Sequence, residues 1–278
     1  MRHIVPGINY EKIKYYFQIN KHQIVHIVEF AQTLNKNLTL LISKVSEAIN
    51  PDKKGNHIGD GSNLDEFIKK QNGVRFVING AFSHYRKNFY DWSHQNFHIG
   101  DPVGIVKIRE HLYKDFLDLN HYGFFVQEEK GSDWKIIKYN DLNYNEKYIL
   151  GCTPLLIYDK KLCSLPLEVN NPVKKGEINP PSYLGHGMQA HPRTAIGLKN
   201  NKIYFINIDF TYGGCSLSEL QDLGLFLELD YFLNLDGGGS SQFKLIDNTS
   251  IISNEIELEE RERILGHILV IFDESLKF

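Results

Sequence analysis

The chain has 278 residues, of which 42% are hydrophobic and 12% aromatic, and its formal net charge is −3. This size and composition are typical of a globular protein with a substantial core, and they argue against a low-complexity chain. The nearly balanced charge lacks the basic footprint of a nucleic-acid-binding protein, and no apolar run is long enough to cross a bilayer.

The N-terminal residues lack the apolar core of a secretory signal, so a cytoplasmic location without a membrane partner is expected. Three cysteines, Cys152, Cys163 and Cys215, form an odd set without Cys-x-x-Cys spacing. This pattern favours reduced, mostly buried thiols over a disulfide framework or a zinc cluster. A bridge between Cys152 and Cys163 across a hairpin is left open.

The first third of the chain alternates strand-like and helix-like patterns. Two β-branched runs at 23–30 and 38–45, separated by a polar stretch, predict a hairpin. A short helix is predicted over 63–71, capped by Ser62 or Asn63. It leads into a strand over 74–78 that ends at Asn79-Gly80.

The middle of the chain is harder to interpret. An aromatic- and histidine-rich loop is predicted over 82–98, followed by a turn and strand over 100–108. Residues from about 110 to 185 carry many tyrosines and charges, with short strands predicted at 123–126 and 134–137. We interpret this region, about 84–185, as a peripheral elaboration and not as a second domain.

From Thr194 the pattern becomes sharper. The alternation around Asn200-Asn201 predicts a hairpin with a two-residue turn, and Ser216 with Glu219 forms a capping box that begins a helix to about Leu227. Further strands are predicted at 229–233, 242–246 and 263–272. Hairpins outnumber βαβ units, which predicts a single α+β domain over 1–278, built on a large mixed or antiparallel sheet with a few packed helices.

The segment Asn234-Leu-Asp-Gly-Gly-Gly-Ser-Ser241 lies between two of these strands. Three consecutive glycines are unfavourable in conformational entropy, so a close approach to the backbone is one reason to have them. The carboxylate of Asp236, the N–H groups of Gly237, Gly238 and Gly239 and the hydroxyls of Ser240 and Ser241 favour a site for an anionic substrate. A glycine-rich hairpin turn is the structural alternative.

Three other segments place polar residues where strands begin or end: Asn79-Gly80, His191-Pro-Arg193-Thr194, and Asp209 with Gly213-Gly214. Arg193 is a permanent cation whose fork suits two oxygens of a phosphate or carboxylate. His191 can donate, accept or titrate near neutral pH. Taken singly, each segment is also compatible with an ordinary surface turn.

Several other motifs are absent. The glycine segment lacks the lysine and spacing of a P-loop, no Gly-x-Gly-x-x-Gly occurs, and no Gly-x-Ser-x-Gly surrounds Ser240 or Ser241. His84, His94 and His98 are close in sequence but lack a matching carboxylate pattern. No cofactor is therefore predicted, and no metal ligand is assigned.

In combination and in this order, the segments resemble the phosphodiester glycosidase family. The matching stretches are 63–83, 191–210, 215–243 and, weakly, 263–272. Where the family usually has Gly-Phe-Phe after Asn-Gly, this chain has Ala81-Phe82-Ser83. The family's fixed arginine before the last strand has two counterparts here, Arg261 and Arg263.

The resemblance implies a hydrolase that cleaves a sugar-1-phosphodiester at the anomeric carbon. Asp236 would be the essential carboxylate, Arg193 would hold the phosphate and His191 would assist. Substrate contacts are expected from Asn79, Gly80, Thr194, Asp209, Gly237, Gly238, Gly239, Ser240 and Ser241.

Two alternatives stay open. One is a non-catalytic binder of sugar nucleotides or phosphorylated sugars, and the other is a metal-dependent phosphodiesterase that uses Asp209, Asp236 and histidines. The expected partner is a small-molecule or glycan phosphodiester. Nucleic acid is not indicated, although modified DNA is left open as a substrate, and the sequence gives no oligomeric state.

Overall fold

The computed structural model describes residues 1–17, 21–42, 64–82, 104–114, 121–165, 189–247, 250–254 and 265–272. Within these ranges the chain is mostly β, with three antiparallel sheets and two α-helices. The expected α+β class therefore holds in the coarse sense, with antiparallel sheets instead of one large sheet. The candidates outside the described residues are His84, His94, His98, Arg261 and Arg263, together with all but the first residue of the loop 82–98.

Sheet A has eight strands. With strands numbered in chain order, their spatial order is β1 (Arg2–Val5), β2 (Ile8–Phe17), β3 (Lys21–Ala31), β14 (Lys202–Ile208), β13 (Arg193–Lys199), β15 (Tyr231–Asn234), β11 (Leu155–Tyr158) and β12 (Lys161–Leu162). The hairpin predicted around Asn200-Asn201 is confirmed, because Lys199 of β13 pairs with Lys202 of β14 across the turn. Asn200 and Asn201 have φ angles of 49° and 59°, the left-handed backbone that such a turn requires and asparagine tolerates.

Sheet B has five strands. Their spatial order is β17 (Ser250–Ser253), β16 (Phe243–Asp247), β5 (Val74–Asn79), β18 (His267–Phe272) and β4 (Leu38–Ile42). The predicted hairpin between 23–30 and 38–45 is wrong, since β3 pairs with β2 and β14 whereas β4 pairs with β18. A 3-10 helix over Gln32–Asn37 separates the two strands and leads from sheet A to sheet B.

The glycine segment also connects two sheets. It follows β15 in sheet A and precedes β16 in sheet B, so it is not the turn of a hairpin. Residues Gly238–Ser240 form one turn of 3-10 helix. The structural alternative for this motif, a glycine-rich hairpin turn, is therefore wrong.

Sheet C comes from the middle of the chain. Its five strands are, in spatial order, β7 (His111–Lys114), β6 (Ile105–Ile108), β10 (Tyr148–Cys152), β8 (Gly123–Gln127) and β9 (Lys135–Lys138). The rings of Phe125 and Trp134 stack 4.4 Å apart within the buried cluster that also holds Phe76 of sheet B and Phe205 of sheet A. The sequence pattern had indicated a peripheral position for this part of the chain. Sheet C instead contributes to the main core.

Two α-helices cover other faces of the sheets. Helix α1 (Leu64–Lys70) buries Leu64 and Phe67 in a cluster with sheet B. Helix α2 (Leu217–Phe226) begins at the predicted capping box, in which Glu219 N–H donates to Ser216 Oγ at 3.3 Å and Ser216 N–H donates to Glu219 Oε2 at 2.8 Å. Within the described ranges, no helix is both long and apolar enough to cross a membrane.

Candidate active site

The four segments selected from the sequence meet at one place. The Gly80 carbonyl accepts from Asp236 N–H at 3.2 Å, and the Pro192 carbonyl accepts from Gly238 N–H at 2.9 Å. His191 and Cys215 exchange two backbone hydrogen bonds of 3.1 and 2.9 Å, which attach the turn after β14 to the residues before β13. Main-chain hydrogen bonds thus hold together segments that are far apart in sequence.

Asn79 is the side chain that joins sheet B to the glycine segment. It is 1% exposed, and its Nδ2 donates to the Asp236 carbonyl at 2.8 Å. Its Oδ1 accepts from Thr194 Oγ1 at 2.8 Å and from Gln242 N–H at 3.1 Å. Both the Nδ2 and the Oδ1 of this amide are bonded to protein groups, so Asn79 holds the backbone of Asp236 in place.

Thr194 and Ser241 belong to the same buried network. Their hydroxyl oxygens are 2.8 Å apart, and Asn207 Nδ2 donates to Ser241 Oγ at 3.0 Å and to Thr194 Oγ1 at 3.3 Å. Because the single hydroxyl proton of Thr194 goes to Asn79, the Ser241 hydroxyl is the donor between the two. Both residues are 0% exposed. This geometry favours a supporting role for Thr194 and Ser241 over direct substrate contact.

Arg193 is a cation held inside the protein at the start of β13. It is 5% exposed, its Nε donates to the Cys215 carbonyl at 3.0 Å, and its Nη2 donates to the Gln189 carbonyl at 3.0 Å. Burial lowers the pKa of the guanidinium from its ordinary value, which is so high that the group stays charged at neutral pH. A Cβ on Gly237 would lie only 3.8 Å from Arg193 Nη1, so the arginine packs against the residue that follows Asp236.

His191 lies beside this arginine and is partly exposed, and its Nε2 is 3.1 Å from Gln189 Oε1. The backbone behind it is closely packed. A Cβ on Gly214 would be 1.9 Å from the carbonyl carbon and oxygen of His191, and Gly214 itself has a φ of 78°. Only glycine fits there, which gives the second residue of the Gly213-Gly214 pair a structural purpose.

The glycine segment offers fewer free donors than the sequence predicted. Gly238 N–H is engaged by the Pro192 carbonyl, so it is not available to a ligand. In the described part of the chain, the N–H groups of Gly237 and Gly239 have no acceptor. Gly237, Gly238 and Gly239 are all partly exposed, whereas Ser240 is 3% exposed and donates its N–H to the Gly237 carbonyl at 3.2 Å.

Asp236 is partly exposed at the centre of these contacts. The pKa of the Cys152 thiol is raised first by burial and then by the negative charge of Asp236. Cys152 therefore stays protonated at neutral pH. The three cysteines are unpaired, which agrees with the predicted reduced thiols and removes the disulfide between Cys152 and Cys163.

Asp209 lies deeper than the other candidates. It is 0% exposed, its Oδ2 is 3.3 Å from His26 Nε2, and its Oδ1 accepts from the N–H and Oγ1 of Thr211 at 3.1 and 3.0 Å. The far side of His26 contacts Tyr10, whose hydroxyl is 2.9 Å from His26 Nδ1. Burial, then the charge of Asp209, raises the pKa of Tyr10 to about 12. Asp209 therefore forms part of an internal Tyr–His–Asp chain.

Several residues near the site were missed from the sequence. His267 begins β18 and is 1% exposed, and its carbonyl accepts from Gly80 N–H at 3.0 Å. A Cβ on Gly80 would lie 2.8 Å from His267 Cδ2, so this glycine is required for the contact. Cys152, Asn207 and Gln242 are the others. They occupy ordinary strand or loop positions, and no local motif distinguishes them.

A metal site was one of the open alternatives. Among the described residues, no group of three or more His, Cys, Asp or Glu side chains is arranged to hold a metal ion. Asp209 and Asp236, the two carboxylates that a metal-dependent phosphodiesterase would use, therefore belong to no such group among the described residues.

Comparison with known proteins adds a family to this geometry. The sequence model described as phosphodiester glycosidase (NAGPA) matches residues 72–272. This range contains all the candidate residues, from Asn79 to Ser241. No curated protein sequence matches the chain significantly.

Solved structures share the fold at low sequence identity. The catalytic domain of zebrafish N-acetylglucosamine-1-phosphodiester alpha-N-acetylglucosaminidase, auto-inhibited by its pro-peptide, is 16% identical with a TM-score of 0.63, over 96% of this chain and 82% of that one. A protein from Synechocystis is 13% identical with a TM-score of 0.58, over 96% and 62%. A Burkholderia pseudomallei K96243 protein described as "putative exported protein" is 11% identical with a TM-score of 0.59, over 91% and 75%.

Proposed function

Since the chain belongs to the phosphodiester glycosidase family, we propose that it hydrolyses a sugar-1-phosphodiester at the anomeric carbon and releases the free sugar and a phosphomonoester. The substrate class follows from the family, and the zebrafish relative is named for the same kind of bond. The single-domain organisation and the cytoplasmic location stay predictions.

The observation that carries this proposal is the packing of a buried cation, Arg193, against the residue that follows Asp236. Arg193 Nη1 would be 3.8 Å from a Cβ on Gly237, the residue directly after Asp236. A Cβ on this residue would also lie 2.9 Å from the Pro192 carbonyl oxygen, so glycine is what allows this close packing. A phosphate could thus contact Arg193 while the sugar carbon attached to it faces Asp236.

The chemistry suits a site with one essential carboxylate. A phosphomonoester has a second pKa of about 6, so it leaves as an anion with little help from a proton donor. Ordinary glycosidases need a pair of carboxylates because an alcohol leaves poorly without protonation. The cation of Arg193 and the N–H groups of Gly237 and Gly239 would stabilise the charge that develops on the phosphate oxygens.

In the proposed reaction the bond between the anomeric carbon and the phosphate oxygen breaks, and its electron pair leaves with the phosphate. Water supplies the new oxygen on the sugar, and its second proton is taken up by a base or by the released phosphate. Asp236 would act as nucleophile, as base or by stabilising the positive charge on the sugar ring. Both inversion and retention of configuration fit these roles.

The buried residues would act through others. Asn79, Thr194 and Ser241 hold the backbone that carries Asp236, so we assign them a positioning role. His191 is partly exposed beside Arg193 and is the candidate for a hydrogen bond to substrate or for proton transfer.

The test is a screen of sugar-1-phosphodiesters with separate assays for free sugar and phosphomonoester, run beside the variant Asp236→Asn. Asparagine has nearly the same shape, and the bonds from Asn79 and to Gly80 use the main chain of residue 236, so they are kept. We expect turnover by the wild type, loss of turnover in the variant and retained ligand binding.

Two outcomes would replace the proposal. Ligand binding without turnover by the wild type would favour a non-catalytic binder. Hydrolysis in labelled water separates the remaining alternative, because attack at carbon puts the label on the sugar whereas attack at phosphorus puts it on the phosphate. Label on the phosphate, together with inhibition by EDTA, would favour a metal-dependent phosphodiesterase.

A further inference from the structure

A basic cleft lies apart from the candidate active site. It has a volume of about 560 Å³, within the range of small-molecule pockets. Its lining residues are Lys36, Asn37, Thr39, Leu41, Lys70, Gln71, Asn72, Arg109, Lys130, Tyr148 and Phe272.

The cleft is at the opposite end of sheet B from the candidate active site. Phe272 pairs with Val74 at one end of the β5–β18 ladder, whereas Asn79 pairs with Ile268 at the other. A strand rises about 3.3 Å per residue, so the two ends are separated by roughly 17 Å. The cleft is therefore a separate place in the fold and not an extension of the site around Asp236.

Four cations surround the cleft, and each comes from a different helix or turn. Lys36 is on the 3-10 helix between β3 and β4, Lys70 ends α1, Arg109 is in the β6–β7 turn and Lys130 is in the β8–β9 turn. Among the described residues, the lining contains no aspartate or glutamate. A cleft lined by one sign of charge concentrates its field inside and attracts an anion.

This concentration of charge is unlike the chain as a whole. The protein carries a net charge of −3, yet every charged residue in this lining is basic. Lys70 has a nearby carboxylate, Glu66 at 3.3 Å, but both are about half exposed, and such a pair offsets little charge. Four cations around one cleft favour an anion as its ligand.

The polar part of the lining adds a second requirement. Asn37 Oδ1 is buried and has no hydrogen-bond donor in the described part of the chain. An acceptor with no accessible surface is closed to a ligand, so a ligand hydroxyl would have to bond to the more open polar side chains of the lining. Gln71, Asn72 and Thr39 offer further polar groups around the same space.

We propose that this cleft is a second binding site, for a ligand that carries both phosphate and hydroxyl groups, such as a phosphorylated sugar. The cations would bind the phosphate, and the side-chain amides of Gln71 and Asn72 would bind sugar hydroxyls. Tyr148 and Phe272 would form the floor.

Two variants remove charge without removing structure. Arg109 has a φ of 57°, a backbone conformation that asparagine adopts more easily, so Arg109→Asn removes the cation and favours the turn. Lys130→Gln removes a second exposed cation. The control pair is Lys12→Gln with Lys161→Gln, two exposed cations on sheet A.

The experiment titrates the full chain with ribose 5-phosphate and with inorganic phosphate, followed by calorimetry and by amide chemical shifts. We expect ribose 5-phosphate to bind more tightly, to shift the amides of Asn37, Asn72 and Arg109, and to bind the Arg109→Asn/Lys130→Gln variant at least about tenfold more weakly. The control pair should bind like the wild type. The melting temperature of the cleft variant should be no lower than that of the wild type.

Several results would overturn the proposal. These are no binding of either probe at millimolar concentration, shifts confined to residues 191–193 and 236–239, and an equal loss of affinity in the control pair. Equal affinity for the two probes would reject the sugar part, since the hydroxyl groups would then contribute nothing.

Discussion

The Nδ2 of Asn79 donates to the backbone carbonyl of Asp236 across 2.8 Å, which links residues 157 positions apart. Asn79 ends β5 in sheet B, whereas Asp236 follows β15 in sheet A. One amide side chain therefore sets where the proposed catalytic carboxylate lies relative to both sheets.

We expect Asn79→Ala to destabilise the protein and to abolish turnover. The change leaves Thr194 Oγ1 and Gln242 N–H without their acceptor, and the Asp236 carbonyl without its donor. Each buried group left unsatisfied costs about 1–3 kcal/mol, so the free energy of unfolding should fall by roughly 3 kcal/mol or more. Urea denaturation of variant and wild type measures this.

Asn140→Ala is the matched control, because Asn140 is exposed. It should change the free energy of unfolding by less than about 0.5 kcal/mol. A near-neutral Asn79→Ala variant with full activity would contradict the positioning role.

The local features of this fold were predictable because the chemistry that determines them is local. The Asn200-Asn201 turn needs left-handed residues, and Ser216 with Glu219 satisfies the first N–H groups of α2. The pairing of the strands was not predictable in the same way. Alternation marks β3 and β4 as strands but does not say which partner each has, and they lie in different sheets.

The candidate site shows the same division. Asp236 and Arg193 were found because they belong to short motifs that stand out at strand ends. Asn207 and His267 were missed, because a polar residue within a strand has no signal that separates a buried network from an exposed face. The availability of the Gly238 N–H depends on the Pro192 carbonyl, a contact between distant segments.

The two adjacent glycines after β14 should respond very differently to alanine. A Cβ on Gly214 would overlap the His191 backbone at 1.9 Å, whereas a Cβ on Gly213 has nothing within 4 Å. The φ angles of Gly213 and Gly214 are both positive, at 85° and 78°. Since a Cβ on Gly213 meets no other atom, Gly213→Ala carries only the strain of that backbone, about 1–2 kcal/mol. We expect Gly214→Ala to lose more than about 4 kcal/mol or to fail to accumulate as folded protein.

Expression yield, circular dichroism and thermal denaturation of the two variants provide the comparison. Equal melting temperatures for Gly213→Ala and Gly214→Ala would show that His191 and its neighbours are not held as the structure has them.

Arg193→Lys should reduce catalysis although it retains a positive charge. Lysine cannot reproduce the fork that donates from Nε to the Cys215 carbonyl and from Nη2 to the Gln189 carbonyl, so its ammonium would not stay against Gly237. Losing one preorganised donor to a developing anion typically lowers the rate by about 100-fold or more, and we expect kcat/KM to fall accordingly.

Steady-state kinetics on the substrate from the screen measures this loss, with Arg2→Lys as the control at an exposed arginine that pairs with Asp247. A kcat/KM within about twofold of the wild type for Arg193→Lys would remove the arginine from the phosphate-binding role.

His267 should make stability depend on pH in the mildly acidic range. Burial lowers the pKa of this imidazole to about 4, whereas a histidine in an unfolded chain titrates near about 6.5. Between these values the unfolded state binds the proton and the folded state does not, so acid favours unfolding. The stability due to neutral His267 is fully present above about pH 6.5 and is lost as the pH falls towards 4, by up to roughly 3 kcal/mol.

Urea unfolding of the wild type and of His267→Asn at about pH 7, 5.5 and 4.5 isolates this effect, because every other titrating group is common to both. We expect the wild type to lose stability more steeply than the variant as the pH falls, and parallel curves would show that His267 is not buried in its neutral form.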